Sequence, residues 1–144
     1  MIKISHRGNI TGPNPELENH PNYLLQAINH GFQVEVDVWF VNNQFVLGHD
    51  EPQYEVTPQF IMNSHFWQHA KNIEALLQML LLDRNLINCF YHQTDDVTLT
   101  SQGWIWTYPG KYITGQSIAV MPETVSNWDI SHAAGVCTDY PYLF

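Results

Sequence analysis

Gln33-Val34-Glu35-Val36-Asp37-Val38-Trp39-Phe40 is the stretch on which the reading of this chain turns. Val34, Val36 and Val38 alternate with Gln33, Glu35 and Asp37, and period-two alternation of β-branched residues marks a strand. Residues two apart on a strand share a face, so Glu35 and Asp37 point the same way. The rise per residue puts their carboxylates about 7 Å apart. Two readings of that face are open. It is the solvated side of an edge strand, or it holds two mutually repelling acids steadied by a divalent cation.

The neighbouring stretches bear on that choice. Upstream, Ile2-Lys3-Ile4-Ser5-His6-Arg7-Gly8 is a short alternating strand that runs into a His-Arg pair. Downstream, Gln44-Phe45-Val46-Leu47-Gly48-His49-Asp50 is an apolar strand that ends in a histidine. In a parallel sheet the carboxyl ends of strands gather at one edge, where loops build sites. Two imidazoles, a guanidinium and two carboxylates are therefore expected to meet there.

His6-Arg7-Gly8, Glu18-Asn19, Glu35-Val36-Asp37-Val38 and Gly48-His49-Asp50 together resemble the glycerophosphodiester phosphodiesterases, in that family's order and near its spacing. The wider group is the phospholipase C-like phosphodiesterase barrels. The specific part covers about the first third of the chain. A looser echo closes it, where Gly135-Val136-Cys137-Thr138-Asp139-Tyr140-Pro141 looks like the family's last strand.

The resemblance implies a metal-dependent phosphodiesterase in which His6 and His49 divide the proton transfers. Glu35 and Asp37 would hold a divalent cation, Mg²⁺ or Ca²⁺, while Arg7 and Lys71 would clamp phosphate oxygens. The substrate implied is a small glycerophosphodiester-like molecule. Glu18 has two readings: an acid at a helix start, or, as in the family, a partner that steadies Arg7 and the metal region. Where the family has an acid two residues before a lysine, this chain has His69-Ala70-Lys71. If His69 is the third ligand, imidazole moves the preference toward Mn²⁺ or Zn²⁺; otherwise it only hydrogen-bonds substrate or a neighbour. The family's insertion after its third strand is missing, so its choice of leaving alcohol does not carry over.

At 144 residues and 44% hydrophobic, the chain is expected to form one domain, 1–144, with a real core. A (β/α)8 barrel typically takes about 250 residues. The fold expected here is accordingly α/β, a compact, minimal TIM-type (β/α)8 barrel with shortened or missing helices. Eight strand candidates support it: the three above, His65–Lys71, Asn88–Gln93, Trp104–Tyr108, Ser117–Met121 and Gly135–Thr138. Helices are expected from Pro21 to His30, near Pro58 to Met62, and from Ile73 to Leu82 as a well-buried helix. A short helical turn is expected at Thr94-Asp95-Asp96. Asn42-Asn43 leaves no room for a crossover, yet the resemblance keeps the second and third strands parallel.

Five Lys and Arg against fourteen Asp and Glu give a formal charge of −9, which disfavours a nucleic-acid or anionic-membrane footprint. Met1 leads straight into a strand, with no signal-peptide pattern and no apolar run of about 18 residues, so the expected setting is the cytoplasm with no membrane span. Cys89 and Cys137 lie in apolar runs and read as small buried hydrophobes. Trp67, Trp104, Trp106 and Tyr108 read as core or as pocket wall, and His92 and His132 stand in no motif and are left out of the site. Two other functions stay open: a non-catalytic barrel that binds a phosphorylated ligand or a metal, and a zinc-type hydrolase of another substrate.

Overall fold

Val34, Val36 and Val38 turn toward two helices, and the opposite side of their strand faces the hollow of a curled sheet. The computed structural model describes residues 1–144. It contains ten strands: β1 (Ile2–His6), β2 (Gln33–Val41), β3 (Gln44–Leu47), β4 (Tyr54–Val56), β5 (Phe66–Ala70), β6 (Cys89–Tyr91), β7 (Val97–Leu99), β8 (Ile105–Thr107), β9 (Ser117–Val120) and β10 (Gly135–Thr138). Three α-helices accompany them: α1 (Pro21–Asn29), α2 (Pro58–Ile61) and α3 (Ile73–Leu80). No helix is long and apolar enough to cross a membrane.

The parallel run is β6-β5-β2-β1-β10-β9-β8. β3 and β4 add an antiparallel flap to β2, and β7 pairs antiparallel with β8. This corrects the TIM-type (β/α)8 barrel: the sheet is mixed and curls into a half-barrel, and no ladder joins β6 to β7. At that seam Thr98 Oγ1 donates to the Tyr91 carbonyl at 3.0 Å, and the Ser101 N–H donates to the Cys89 carbonyl at 2.8 Å.

The missing helices have a local cause. α1 and α3 present Leu24, Ala27, Ala75 and Met79 to the valine face of β2, forming the larger core cluster. After β6 no segment carries an apolar stripe of helical period. The outer side of β9 and β10 is covered instead by Ile113, Trp128, Ile130 and Phe144 from irregular segments, packed on Ala119, Ala133 and Val136. The expected turn at Thr94–Asp96 is not helical, and the chain enters β7 there. α3 is also less buried than its sequence predicts, since Ile73, Leu77, Leu80 and Leu81 are exposed.

The second correction concerns β3. Asn42 and Asn43 both take positive φ, 49° and 62°, the backbone of a two-residue hairpin turn. β2 therefore continues past the sheet and returns as an antiparallel partner, with Val38 opposite Leu47. The return ends where the Gly48 N–H donates to the Asp37 carbonyl at 3.2 Å and the Trp39 indole N–H donates to the Gly48 carbonyl at 2.7 Å. A Cβ on Gly48, at φ 150°, would lie 2.0 Å from the Glu51 carbonyl oxygen, so this turn requires glycine. It delivers His49 to the mouth of the hollow.

Candidate functional site

Inside the curl, Ile4, Trp67, Phe90, Trp106, Ile118 and Cys137 form an apolar floor. Side chains two residues further along each strand point the same way and stand one layer higher. That step runs from Ile4 to His6, from Trp67 to His69, from Phe90 to His92, from Trp106 to Tyr108 and from Cys137 to Asp139. Glu35 and Asp37 occupy the same side of β2. The result is a cavity of about 270 Å³ at the carboxyl edge of the sheet, lined by His6, Arg7, Glu35, His49, His69 and Lys71 on one part of its wall. His92, Gln93, Trp106, Tyr108 and Val120 complete it.

The charged part of the wall is built around Asp37, which is fully buried. Its Oδ2 accepts from Asn19 Nδ2 at 2.8 Å and lies 3.1 Å from Arg7 Nε; its Oδ1 lies 3.3 Å from His69 Nδ1 and 3.5 Å from Lys71 Nζ. Arg7, at φ 54°, also donates through NH1 to Glu18 Oε2 at 3.1 Å. Glu18 lies outside α1, and its other oxygen accepts from Asn9 Nδ2 at 2.8 Å, so it steadies Arg7 and does not serve the helix dipole.

His69 Nδ1 stands 3.6 Å from Glu35 Oε1, and its ring stacks on Phe90 with centroids 4.9 Å apart. Burial opposes a charge on His69, but Asp37 and Glu35 overcome it and raise its pKa to about 9. Burial likewise opposes ionisation of Asp37, and His69, Arg7 and Lys71 hold it well below the ordinary carboxylate range.

His6 is set differently. Asp139 Oδ1 accepts from His6 Nδ1 at 2.8 Å and from Asn9 Nδ2 at 2.8 Å, while the Asp139 N–H donates to Glu123 Oε1 at 3.0 Å. Burial again disfavours the imidazolium, but the bond to Asp139 and the field of Glu35 raise the pKa of His6 above its usual value. His49 is on the rim, 39% exposed, with its Nδ1 2.7 Å from the exposed Asp50.

All eight sequence-predicted site residues are thus gathered: His6, Arg7, Glu35, His49, His69 and Lys71 line the cavity, Asp37 lies behind them and Glu18 braces Arg7. Glu35, Asp37 and His69 offer ligand atoms that all fall within 4.8 Å of one another. Glu35 Oε2 is buried without a hydrogen-bond partner, which leaves acceptor capacity of the kind a divalent cation takes, whereas Asp37 Oδ1 already has His69 and Lys71 at ion-pair distance.

Four residues of the site were missed by sequence reasoning. Asn9, Asn19 and Asp139 orient the charged groups, and His92 forms an opposing wall with Tyr108, which the sequence reads as core or pocket wall. His92 stands in no motif, but counting two residues on from each apolar floor residue finds it. Burial lowers the His92 pKa, and burial beside Glu35 pushes the Tyr108 phenol far above its usual value. Cys89 and Cys137 are free and buried, as their apolar contexts suggest. No family model matches this chain, and no curated protein or solved structure matches it significantly.

Proposed function

We infer that the chain is a phosphodiesterase of small phosphodiesters that works with a divalent cation and a histidine pair, as its resemblance to the glycerophosphodiester phosphodiesterases suggests. The observation that carries this reading is the convergence of Arg7, Lys71, His6 with its Asp139 partner, and the Glu35-Asp37-His69 group on one cavity. Cleaving a phosphodiester calls for neutralisation of nonbridging oxygens, a base for the nucleophile and an acid for the leaving oxygen. Glu35, Asp37 and His69 would hold a divalent cation, which would supply part of that neutralisation.

The protein's own groups supply the rest. Arg7 is fixed through Nε and NH1 by Asp37 and Glu18, and it offers its remaining nitrogen to a phosphate oxygen. Lys71 is held beside the same carboxylate. His6, whose bond to Asp139 favours the imidazolium against the cost of burial, is suited to give a proton to the leaving oxygen. His49, on the solvent-exposed rim, is suited to take one from water or from a substrate hydroxyl. The seating of His6 against a buried acid and of His49 against an exposed one supports this division of roles.

A second reading has its own observation. Arg7, Lys71 and a charged His69 already surround Asp37, so the pocket can receive a phosphate as a binding site without turnover. Metal-stripped protein assayed on bis(p-nitrophenyl) phosphate, with Mg²⁺, Ca²⁺, Mn²⁺ and Zn²⁺ added back, separates the two. Turnover restored by one of these ions supports the phosphodiesterase. Phosphate binding with no turnover under any ion supports the binding protein.

A further inference from the structure

α3 carries two apolar faces, and the fold buries only one of them. Ala75 and Met79 pack in the larger core cluster. Ile73, Leu77, Leu80 and Leu81 recur at the spacing of a single helix face and stand between 38% and 78% exposed. One exposed leucine is ordinary on a protein surface, but four apolar residues at helical spacing form a stripe of the kind that packs on another helix. The patch extends onto the sheet. Val97 and Leu99, two apart on β7, are exposed on one side of that strand. A groove lined by Leu76, Leu80, Phe90, Tyr91 and Leu99 runs between α3 and β7, over the seam where β6 and β7 form no ladder.

The charges at the ends of the stripe bear on what covers it. Glu74 stands in the first turn of α3 and Arg84 in the turn that follows the helix, and both are exposed. Neither forms an ion pair within the chain. Arg84 lies beside the end of the stripe, where it lines a hollow with Met79, Leu80 and Ile87. The neighbouring Asp83 is engaged in its own turn, accepting from the Asn85 N–H at 2.9 Å. One free acid and one free base at opposite ends of an apolar stripe are self-complementary under a two-fold axis, because antiparallel pairing sets each end against the other. The register agrees with the apolar residues. Glu74 and Arg84 lie five positions either side of Met79, and Leu77 and Leu81 lie two positions either side of it. The pairing that sets Glu74 against Arg84 therefore also sets Leu77 against Leu81.

We propose that this face is a homodimer interface, in which α3 packs antiparallel on α3 of a second copy of this chain. The leucine stripes interleave at the centre, the apolar groove beside Leu80 is covered, and Glu74 meets Arg84 at both rims. A membrane surface fits this face less well. Helices that lie on membranes carry a basic polar face, whereas α3 contains no Lys or Arg and the chain has a formal charge of −9. The proposal goes beyond the phosphodiesterase reading and does not depend on it.

Sedimentation equilibrium of the intact chain over a range of concentrations tests this, and a reversible dimer is expected. A wild type that stays monomeric up to millimolar concentration overturns the interface, and flotation of that monomer with phosphatidylcholine vesicles assigns the face to a membrane instead. Leu77→Glu and Leu81→Glu change exposed positions, and circular dichroism verifies that each variant is folded. Each should weaken the dimer by at least about tenfold. Glu74→Lys and Arg84→Glu should each weaken it about fivefold to tenfold, and the double variant, which restores both pairs with their signs exchanged, should recover most of that loss. A dimer that neither leucine variant weakens lies on another face and overturns the proposal. A double variant that binds no more tightly than either single one overturns the antiparallel register.

Discussion

His6 Nδ1 lies 2.8 Å from Asp139 Oδ1, two residues 133 positions apart that the pairing of β1 with β10 brings together. This contact joins the first strand to the last and fixes which face of the imidazole meets the cavity. Replacing His6 with Ala is expected to lower phosphodiester turnover by at least about 10²-fold, a usual acid-base contribution. His49→Ala should do the same. Steady-state assays on protein whose folding is verified by circular dichroism check both, and full activity in either variant removes that histidine from the mechanism.

The same pair sets a pH dependence of stability. His6 has a raised pKa in the fold, so its contribution is complete below its ordinary 6.5 and fades as pH rises through the raised value. Burial opposes ionisation of Asp139, but His6 and Asn9 lower its pKa, so its contribution is complete above 3.8 and fades as pH falls through the lowered value. Asp139→Asn should therefore destabilise most between about pH 4 and 6.5, by about 2 kcal/mol for a partly buried charged hydrogen bond. Urea unfolding at pH 5.5 and pH 9 measures it, with the smaller loss expected at pH 9.

Removing a carboxylate from a close pair relieves repulsion, and on the sequence alone Asp37→Asn is expected to leave the fold intact or more stable. The structure reverses that expectation, because Asp37 is fully buried among Arg7, Lys71, His69 and Asn19. Its loss strands buried cations, at a cost of about 3–5 kcal/mol. Asp37→Asn should be clearly less stable than wild type in urea at pH 7 and should lose divalent-ion binding. Equal stability would show that the surrounding cations relax into solvent.

His69 is raised to about 9 by the two acids, so at neutral pH it must give up its proton to become a metal ligand. Binding of Mn²⁺ or Zn²⁺ should then release about one proton, seen as a dependence of calorimetric heat on buffer ionisation enthalpy. His69→Asp should abolish that dependence and move the preference toward Mg²⁺ or Ca²⁺. A wild type whose heat is independent of buffer would take His69 out of the ligand set.

Gly48→Ala tests the flap that carries His49. The added Cβ meets the Glu51 carbonyl oxygen at 2.0 Å, and the backbone must shift to admit it. A loss of about 1–3 kcal/mol is expected from the strained turn, together with reduced turnover from a misplaced His49. Unaltered melting and activity would mean that the turn adjusts freely.

The amino-acid order by itself determined the local facts of this protein. Alternation set β1 and β2 and put Glu35 beside Asp37 on one face, and short apolar runs marked the other main strands; His20 and Pro21 started α1, Thr57 and Pro58 started α2, and Asn72 capped α3. These follow from backbone preferences and side-chain periodicity, which act over a few residues. The antiparallel return of β3 was local as well, because the two left-handed residues Asn42 and Asn43 cannot span a crossover, against what the family resemblance implied. Tertiary structure alone decided the rest. Whether the sheet closed as a (β/α)8 barrel depended on the seam between β6 and β7, where no ladder forms, and irregular segments covered β9 and β10 where no helical stripe existed. The pairing of His6 with Asp139 and the stacking of His92 on Tyr108 arose from strand neighbours distant in the chain, and such pairings are selected by the burial of the whole sheet, not by any stretch of it.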